Sequence, residues 1–507
     1  MNRKIGVLLS YVLMVFEVLS TLLLTPFILR TLGQAEYGVY KLAAAINAYL
    51  LLLDLGVGNA VTRYVAKYRV ENNLIQGRKF LGIATIYYFI IAVTAIVAGC
   101  VLAYIFPSVF AKGLTEDEIA LGQKLLSITM INSAVTLGTA AYAKTIIAYE
   151  RFWVSKGSMI LLIIARIILT VIALNAGMGS IGIVCVNLLM TLISRTFFVF
   201  YTLFKIKLRP MFRGIEFSFV KEVFLFSSLI LLQMIATQLN NTVDQILIGS
   251  MVASSSIILA VYGVGTQVVQ YFQSMGTAFN GVLMPGLVRM VNEDHSAERI
   301  THEMVRISRI IFMVLLLIWG GFFVNGQNFI CLWAGQANMD AYVVALLLMT
   351  VQLFVLSESV GSQILWALNQ HKEQAILKII IVICNIALTI ALIQWNALIG
   401  ATLGTFISIL LGDVIIMNVI FYKKTRMNIL DYYKQLFKGI VPCAIVSIVA
   451  GIVVGRFFPY GWMALLINAL TMVIIYASCM LLFGMNKYEK SLCFGMIKKI
   501  INRKKFI

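Results

Sequence analysis

The chain has 507 residues, of which 61% are apolar and 12% are charged. Soluble proteins average roughly 45–50% apolar and about 25% charged residues, so this composition excludes a set of soluble domains and indicates a protein that lies in a lipid bilayer. The net charge of +19 would suggest nucleic-acid binding in a soluble protein. In a membrane protein, Lys and Arg residues indicate which loops are cytoplasmic. We therefore expect no nucleic acid as a partner.

Fourteen apolar runs are each long enough to cross the hydrocarbon core, which needs roughly 20 residues per helix. In chain order the predicted spans are residues 5–29, 39–62, 80–106, 122–147, 154–176, 180–204, 219–249, 256–288, 307–332, 341–368, 375–395, 398–421, 435–457 and 461–484. The pattern predicts an all-α polytopic membrane protein with about fourteen transmembrane helices.

The basic residues orient these spans. With the N-terminus inside, 33 of the 40 Lys and Arg residues fall in predicted cytoplasmic loops and tails, five fall outside and two lie within spans. Loops rich in Lys and Arg stay on the cytoplasmic side of a membrane. The sequence therefore predicts that both termini are cytoplasmic.

Two segments resemble motifs of enzymes, but each lacks a feature that its motif requires. The run from Gly177 to Gly182 has the letters of a dinucleotide-binding fingerprint, but it lies between two predicted spans rather than after a strand, so we expect a tight turn. His302 and Glu303 begin like a zinc-protease motif, but Arg306 occupies the position of the second histidine. The sequence predicts no metal, no cofactor and no enzyme activity.

Ionisable side chains within spans mark candidate functional sites, because each costs roughly 2.5–3.5 kcal/mol at mid-bilayer on insertion scales. The candidates are Glu17, Asp54, Arg166, Arg195, Glu358 and Asp413, with Asp244 nearer the outer end of its span. Both arginines belong to the first six spans, whereas the spans of the second six carry only acidic groups.

The two arginines allow two interpretations, which do not exclude each other. Arg166 and Arg195 facing one cavity would attract an anion such as phosphate, because a guanidinium group keeps its charge and presents a planar fork of donors. Alternatively, one or both form an ion pair with Glu17 or Asp54 and simply neutralise buried charge.

Polar side chains also recur at helical spacing on the spans that open the second half. Asn240, Asn241 and Asp244 share the seventh span, and Gln267 and Gln270 share the eighth. Such residues can hydrogen-bond neighbouring helices as packing contacts. Because the stripes occur on several helices, we expect a shared water-filled cavity.

A short repeat relates the two halves of the chain. Tyr37-Gly38-Val39 opens the second span, and Tyr262-Gly263-Val264 opens the eighth. Spans one to six and seven to twelve would then be two halves in the same orientation, as in many transporters. The last two spans lie outside the repeat and are almost wholly apolar, which favours an accessory pair that faces lipid.

Several motifs resemble those of bacterial polysaccharide flippases in the multidrug/oligosaccharidyl-lipid/polysaccharide exporter superfamily. They are Thr25-Pro26 with Arg30-Thr-Leu32-Gly33, Glu36-Tyr37-Gly38, Asp54-Leu-Gly56-Val-Gly58-Asn59, Arg63-Tyr64, Glu150-Arg151-Phe152 and Asn240-Asn241-x-x-Asp244 with Ile248-Gly249. The resemblance implies two six-helix bundles in a V, at residues 1–210 and 211–425, and an accessory helix pair with a basic cytoplasmic tail at 426–507.

The resemblance also implies a function. Members of this superfamily branch move undecaprenyl-diphosphate-linked oligosaccharide across the bacterial inner membrane for surface polysaccharide such as O-antigen or capsule. The implied substrate-binding residues are Arg166, Arg195, Arg30, Arg63, Asn240, Asn241, Gln267 and Gln270. The implied ion-coupling residues are Glu17, Asp54, Asp244 and Glu358, with H⁺ or Na⁺ as the ion. Membrane lipid, a polymerase and glycosyltransferases are the other expected partners.

Three alternatives stay open at this stage. A cation-coupled multidrug exporter of the same superfamily usually has twelve spans, and paired arginines would repel its cationic drugs. A flippase for the peptidoglycan precursor differs only in its cargo. A membrane-embedded glycan polymerase is the least favoured, because the predicted outer loops are short and contain no histidine.

Overall fold

A computed structural model of the chain describes residues 2–212, 217–293, 296–368, 370, 372–458 and 460–492. For residues 2–5, 7, 8, 217–233 and 279–293 it describes the backbone alone.

The described residues form eighteen α-helices, joined by short turns and single turns of 3₁₀- or π-helix, and they contain no strand. The helices are α1 (Asn2–Leu51), α2 (Val57–Val70), α3 (Leu74–Phe110), α4 (Glu116–Gly138), α5 (Ala140–Ala148), α6 (Ser158–Asn175), α7 (Gly179–Phe200), α8 (Phe217–Met251), α9 (Ser255–Glu293), α10 (Ala297–Ala334), α11 (Ala341–Ser357), α12 (Ser359–Ala367), α13 (Lys372–Ile393), α14 (Ala397–Ile409), α15 (Met417–Thr425), α16 (Ile429–Phe437), α17 (Ile440–Phe457) and α18 (Trp462–Cys479).

The predicted fold class is confirmed: the protein is an all-α, multi-pass membrane protein. Among the described residues, ten helical runs are long and apolar enough to cross a membrane, or eleven if α4 and α5, which meet at a bend of 42°, form one span. One run, Leu9–Val70, covers residues 9–29 of the first predicted span and the whole of the second. The exact number of fourteen crossings therefore stays a prediction.

Breaks inside the first helical run coincide with two of the motifs named in the sequence analysis. Gly33 has φ 75° and ψ 174°, which interrupts α1 between the first two predicted spans. Leu55 and Gly56 both adopt left-handed φ values, 52° and 74°, between α1 and α2. Glycine tolerates this region without steric cost, and the break between α1 and α2 overlaps the start of the Asp54-to-Asn59 motif.

The tight turn expected between Gly177 and Gly182 is also present. Helix α6 ends at Asn175 and α7 begins at Gly179, which has φ 56°. A carboxylate oxygen of Glu36 accepts a hydrogen bond from the backbone N–H of Ser180 at 2.6 Å. Glu36 therefore caps the N-terminus of α7, where a negative charge is stabilised by the helix dipole.

The chain divides into two compact units. The first comprises Met1–Gly263 with Ile386–Ala401, and the second comprises Val264–Asn385 with Thr402–Ile507. In the first unit, a core of α2, α3 and α5 side chains surrounds the buried Tyr88. In the second unit, α10 packs against α11, α16, α17 and α18. The bundle boundaries predicted at residues 210 and 425 stay a prediction.

Gly38 and Gly263, the glycines of the two Tyr-Gly-Val motifs, lie at one helix crossing within the first unit. A Cβ atom on Gly38 of α1 would lie 1.8 Å from the carbonyl oxygen of Ser256 at the start of α9. A Cβ atom on Gly263 would lie 3.0 Å from Cγ of Lys41. Glycine at Gly38 thus allows the backbones of α1 and α9 to approach closely, as small residues do between membrane helices.

Candidate functional site

A cavity of about 330 Å³ lies inside the first unit, where α1, α4, α6 and α7 pack together. Glu17 of α1, Arg166 of α6, Asn132 of α4 and Asn187 of α7 line it, along with Thr191 and Ser194. Four apolar helices therefore enclose one acid, one guanidinium group, two amides and two hydroxyls. This is the arrangement expected of a polar binding site within the bilayer.

The charged residues of this cavity, Glu17 and Arg166, do not form an ion pair with each other in the part of the chain that the structure describes. Glu17 is exposed and Arg166 is half-buried. Among the described residues, no ion pair within 4.0 Å joins Arg166 or Arg195 to Glu17 or Asp54. The side-chain oxygen of Asn132 is buried and has no hydrogen-bond partner there. A buried acceptor without a partner is costly, so the cavity wall offers groups that a ligand or water can satisfy.

The sequence interpretation missed four of the polar lining residues, although a signal for them was present. Asn187, Thr191 and Ser194 follow one another at intervals of four and three on α7, which places them on one face of the helix. Asn132 stands alone on α4, and only the packing of α4 against α7 brings it to the same cavity.

The other predicted substrate-binding arginines lie elsewhere. Arg195 is half-buried on α7, but it is not among the residues that line the cavity with Arg166. Arg30 and Arg63 are exposed, on α1 and α2 respectively. The structure thus brings Arg166 to Glu17, and it does not place the two intramembrane arginines in one described cavity.

The four predicted amide ligands divide between the two units. Asn240 is half-buried and Asn241 is exposed, both on the part of α8 that belongs to the first unit. Gln267 is buried and Gln270 is exposed on the α9 residues of the second unit, with the amide nitrogen of Gln267 3.5 Å from the amide oxygen of Gln270. Their role in binding stays a prediction.

Asp54 lies at the helix break between α1 and α2. The hydroxyl of Tyr88 donates a hydrogen bond to its carboxylate at 2.5 Å. A Cβ atom on Gly58 would lie 3.2 Å from the amine of Lys144 and 3.4 Å from an Asp54 carboxylate oxygen, so the two charged groups face the same small space. Lys144 therefore places a cation beside this motif.

Asp244 of α8 is buried, with 1% of its surface exposed. Tyr262 of α9 donates a hydrogen bond to one carboxylate oxygen at 2.5 Å, and the hydroxyl of Thr389 on α13 donates to the other at 3.1 Å. All three residues belong to the first unit. The predicted ion-coupling acid thus connects the consecutive helices α8 and α9 to α13, which is distant in the sequence.

Glu358 ends α11 and is buried, with 3% of its surface exposed. The amide of Asn418 donates to both of its carboxylate oxygens at 3.1 Å, and the hydroxyl of Tyr433 donates to one of them. Glu358 therefore joins α12, α15 and α16 through neutral donors within the second unit.

The prediction that the spans of the second half carry only acidic groups is wrong, because Lys378 lies within one of them and pairs with Asp413. The amine of Lys378 lies 2.7 Å from the Asp413 carboxylate. Lys378 occupies the second turn of α13 rather than a loop edge. The charge on Asp413 is compensated by this ion pair.

Comparisons with known proteins identify the family and the fold of the chain. A sequence profile of the family described as "Polysaccharide biosynthesis protein" matches residues 27–336, more than half of the chain. The chain belongs to this family. The match to the polysaccharide biosynthesis family includes every residue that lines the cavity except Glu17. A comparison with curated proteins gives no significant match.

Solved structures share the fold of this polysaccharide biosynthesis family member. A lipid II flippase, MurJ, in an inward closed conformation has a TM-score of 0.71 and 15% sequence identity, over 94% of this chain and 98% of that chain. An inward-facing multidrug resistance transporter of the MATE family scores 0.59 at 13% identity, over 80% and 96% of the two chains. A MOP-superfamily transporter from Pyrococcus furiosus scores 0.55 at 16% identity, over 83% and 96%.

These likenesses show that the chain shares the fold of the MurJ, MATE and MOP-superfamily structures. Together with the family match, they confirm the resemblance seen in the short motifs of residues 25–64.

Proposed function

We propose that the protein is a flippase that moves undecaprenyl-diphosphate-linked oligosaccharide from the cytoplasmic to the outer leaflet of the bacterial inner membrane. The observation that carries this proposal is the cavity of the first unit, in which the guanidinium group of Arg166 and the amides of Asn132 and Asn187 share one space. Membership of the polysaccharide biosynthesis family supports a substrate that belongs to that pathway.

The chemistry of the cavity suits a phosphate-bearing headgroup. A diphosphate cannot cross hydrocarbon unaided, because transfer of an isolated charge into a medium of low dielectric costs tens of kcal/mol, on the order of the Born estimate. Arg166 supplies an opposite charge with a planar fork of donors. The amides and hydroxyls supply hydrogen bonds of the kind that sugars and phosphates accept and donate.

The volume of the cavity limits which part of the substrate it can hold. A volume of about 330 Å³ is at the low end of the roughly 300–1,000 Å³ typical of ligand sites. We expect the diphosphate and the sugar next to it to occupy the cavity, while the polyprenyl tail stays in lipid along α17 and α18. Many large apolar side chains on those two helices are exposed, among them Val449 and Leu470.

Glu17 gives this proposal a coupling step. Its carboxylate lines the same cavity as Arg166, so it competes with a bound diphosphate for the guanidinium charge. Protonation of Glu17, or binding of Na⁺ beside it, would remove that competition. Ion binding and substrate binding would then favour each other, as linkage requires. Asp54, Asp244 and Glu358 are the other proposed ion-coupling residues.

The remaining parts of the proposal follow the topology. We propose that both termini are cytoplasmic, that the two six-helix bundles at residues 1–210 and 211–425 alternate between inward- and outward-open states, and that Arg195, Arg30 and Arg63 guide the anion. Glycosyltransferases would supply the lipid-linked glycan, and a polymerase would consume it. Consumption of the product, or the cation gradient, is needed because a transporter cannot by itself drive net movement.

Proteoliposomes test the proposal. Purified full-length protein is reconstituted with lipid-linked oligosaccharide, and a glycosidase is added to one side only. We expect the protein to bring glycan from the opposite face to the face that holds the enzyme, where it is cleaved, when an H⁺ or Na⁺ gradient is imposed. Flipping of lipid II alone would instead identify a peptidoglycan-precursor flippase. Extrusion of a lipophilic cationic dye without any glycan exposure would identify a multidrug exporter.

A further inference from the structure

A second and larger cavity lies in the second unit, far along the chain from the site described above. It has a volume of about 750 Å³ and is bounded by the first turns of α10, by α16 and by the segment that follows α18. Its basic lining residues are Arg306, Arg309, Lys434 and Lys438, and Asp431 is its acidic one. The topology predicted from the basic loops places this region at the cytoplasmic face of the membrane.

One of the basic residues builds the wall of the cavity rather than serving a ligand. Arg309 is buried, with 6% of its surface exposed. Its guanidinium group pairs with Glu489 at 2.6 Å, and it donates to the carbonyl oxygens of Lys438 at 2.9 Å, Gly484 at 3.0 Å and Gln435. Arg309 thereby fixes the end of α16 against the segment after α18, and the cavity is preformed.

Arg306 is also largely satisfied by the protein. Its guanidinium group donates to both carboxylate oxygens of Glu303 at 3.0 Å and stacks over the ring of Tyr488, 4.0 Å from the ring centroid. Neither Arg306 nor Arg309 therefore contributes a free positive charge to the cavity.

Lys434 and Lys438 differ from these two arginines, because their charges are not compensated by any carboxylate that the structure describes. Lys434 lies on α16 and Lys438 follows the last residue of that helix, and both exposed side chains line the cavity. No carboxylate of the described residues lies within 4.0 Å of either amine. Asp431 faces the same cavity, and its carboxylate accepts a hydrogen bond from the amide of Gln435 at 2.6 Å. Two cations against one acid leave the cavity with an excess of positive charge.

The rim of the cavity is apolar and exposed. Phe483, which lines the cavity, has 80% of its surface exposed, and its neighbour Leu482 has 68% exposed. Exposed apolar side chains beside uncompensated lysines are typical of a membrane–water interface, where an amphipathic surface meets headgroups and acyl chains together.

We propose that this cavity binds an anionic phospholipid, with the phosphate of the headgroup between Lys434 and Lys438 and an acyl chain along Phe483. Basic pockets between helices at the cytoplasmic face are suited to such headgroups, because each lysine near the surface attracts negative charge. Free inorganic phosphate would pair with the lysines, but it has no apolar group that could pack against the exposed apolar side chains of the rim. The lipid is a structural or regulatory ligand and is distinct from the transported substrate.

Native mass spectrometry of the delipidated full-length protein, titrated with phosphatidylglycerol, tests the proposal. The double variant Lys434→Gln/Lys438→Gln should weaken binding of this lipid by about tenfold or more. Phe483→Ser should also weaken it. The matched control is Lys205→Gln/Lys423→Gln, which removes two exposed lysines from the same predicted face but outside the cavity, and its affinity should equal that of the wild type.

Three outcomes would overturn the proposal. Equal weakening in the control variant would show that only overall charge matters. Equal affinity for phosphatidylcholine would remove the anionic headgroup from the recognition. Displacement of the lipid by inorganic phosphate, together with an unchanged affinity in Phe483→Ser, would make the cavity a phosphate site. The unfolding temperature of each variant should match that of the wild type, because the substituted side chains are exposed.

Discussion

The hydroxyl of Tyr262 donates a hydrogen bond to the carboxylate of Asp244 across 2.5 Å, and Tyr88 stands in the same relationship to Asp54 at the same distance. Both acids belong to motifs that the sequence marks as candidates for ion coupling. A tyrosine hydroxyl satisfies one carboxylate oxygen without cancelling its charge. Each acid is thus held in a fixed position by a neutral group.

The variant Tyr262→Phe tests the importance of this support. Asp244 is buried, and a hydrogen bond to a charged group contributes about 1.5–3 kcal/mol, so the variant should lose stability of that order and show altered dependence of transport on the ion gradient. Unfolding in detergent and transport at several gradients are the measurements. Tyr104→Phe is the control, since Tyr104 is 83% exposed. Unchanged ion dependence in Tyr262→Phe would remove Asp244 from the coupling scheme.

Arg166 is the residue on which the proposed substrate site depends most. Arg166→Ala should reduce glycan export by about 10- to 100-fold, because one charged hydrogen bond contributes about 1.5–3 kcal/mol and about 1.4 kcal/mol is a factor of ten. Arg166→Lys should restore part of the activity. The exposed Arg456 serves as the control for loss of one arginine.

The companion experiment on Arg166 uses Glu17. If Arg166→Ala removes the protein from the membrane, and Glu17→Gln in the same chain restores it, then Arg166 neutralises Glu17. Full export by the restored double variant would show that Arg166 does not bind substrate. Membrane accumulation and export therefore have to be measured on the same cells.

Gly38 should tolerate no side chain. The added Cβ of Gly38→Ala would meet the Ser256 carbonyl oxygen at 1.8 Å, and backbone cannot move aside without separating α1 from α9. Overpacking of this kind typically costs about 1–3 kcal/mol. We expect a lower unfolding temperature or poor accumulation. Gly321→Ala is the matched control, because no atom lies within 4 Å of the Cβ it adds. Equal behaviour of the two variants would contradict the close crossing.

Arg309 should be essential for the stability of the second unit. Arg309→Ala leaves the carboxylate of Glu489 buried and unpaired, and removal of one partner from a buried ion pair costs about 3–5 kcal/mol. Arg309→Lys should not restore stability, since one amine cannot reach the carboxylate and all three carbonyl oxygens. Thermal unfolding is the measurement. Arg299→Ala, at an exposed arginine of the same helix, should unfold like the wild type.

The predicted orientation is testable with single cysteines in a chain whose own cysteines have been replaced. Thr115→Cys should react with an impermeant thiol reagent in intact cells, whereas Lys207→Cys should react only after the membrane is opened. Reaction of the second variant from outside would reverse the predicted topology.

Composition and hydrophobic pattern were enough to determine the class of this protein. Apolar runs of span length specify helices because backbone groups in lipid must be hydrogen-bonded internally. The location of Arg166 within a span also followed from the sequence, since its polarity stands out against apolar neighbours.

Tertiary structure alone decided which polar groups meet. Asn132 and Glu17 are separated by more than a hundred residues, and only helix packing brings both to the cavity of Arg166. Packing also gave Asp413 the partner Lys378, and it left Arg195 outside that cavity. The physical reason is that hydropathy predicts which segments of the chain cross the membrane. A binding site depends instead on which faces of different helices are in contact.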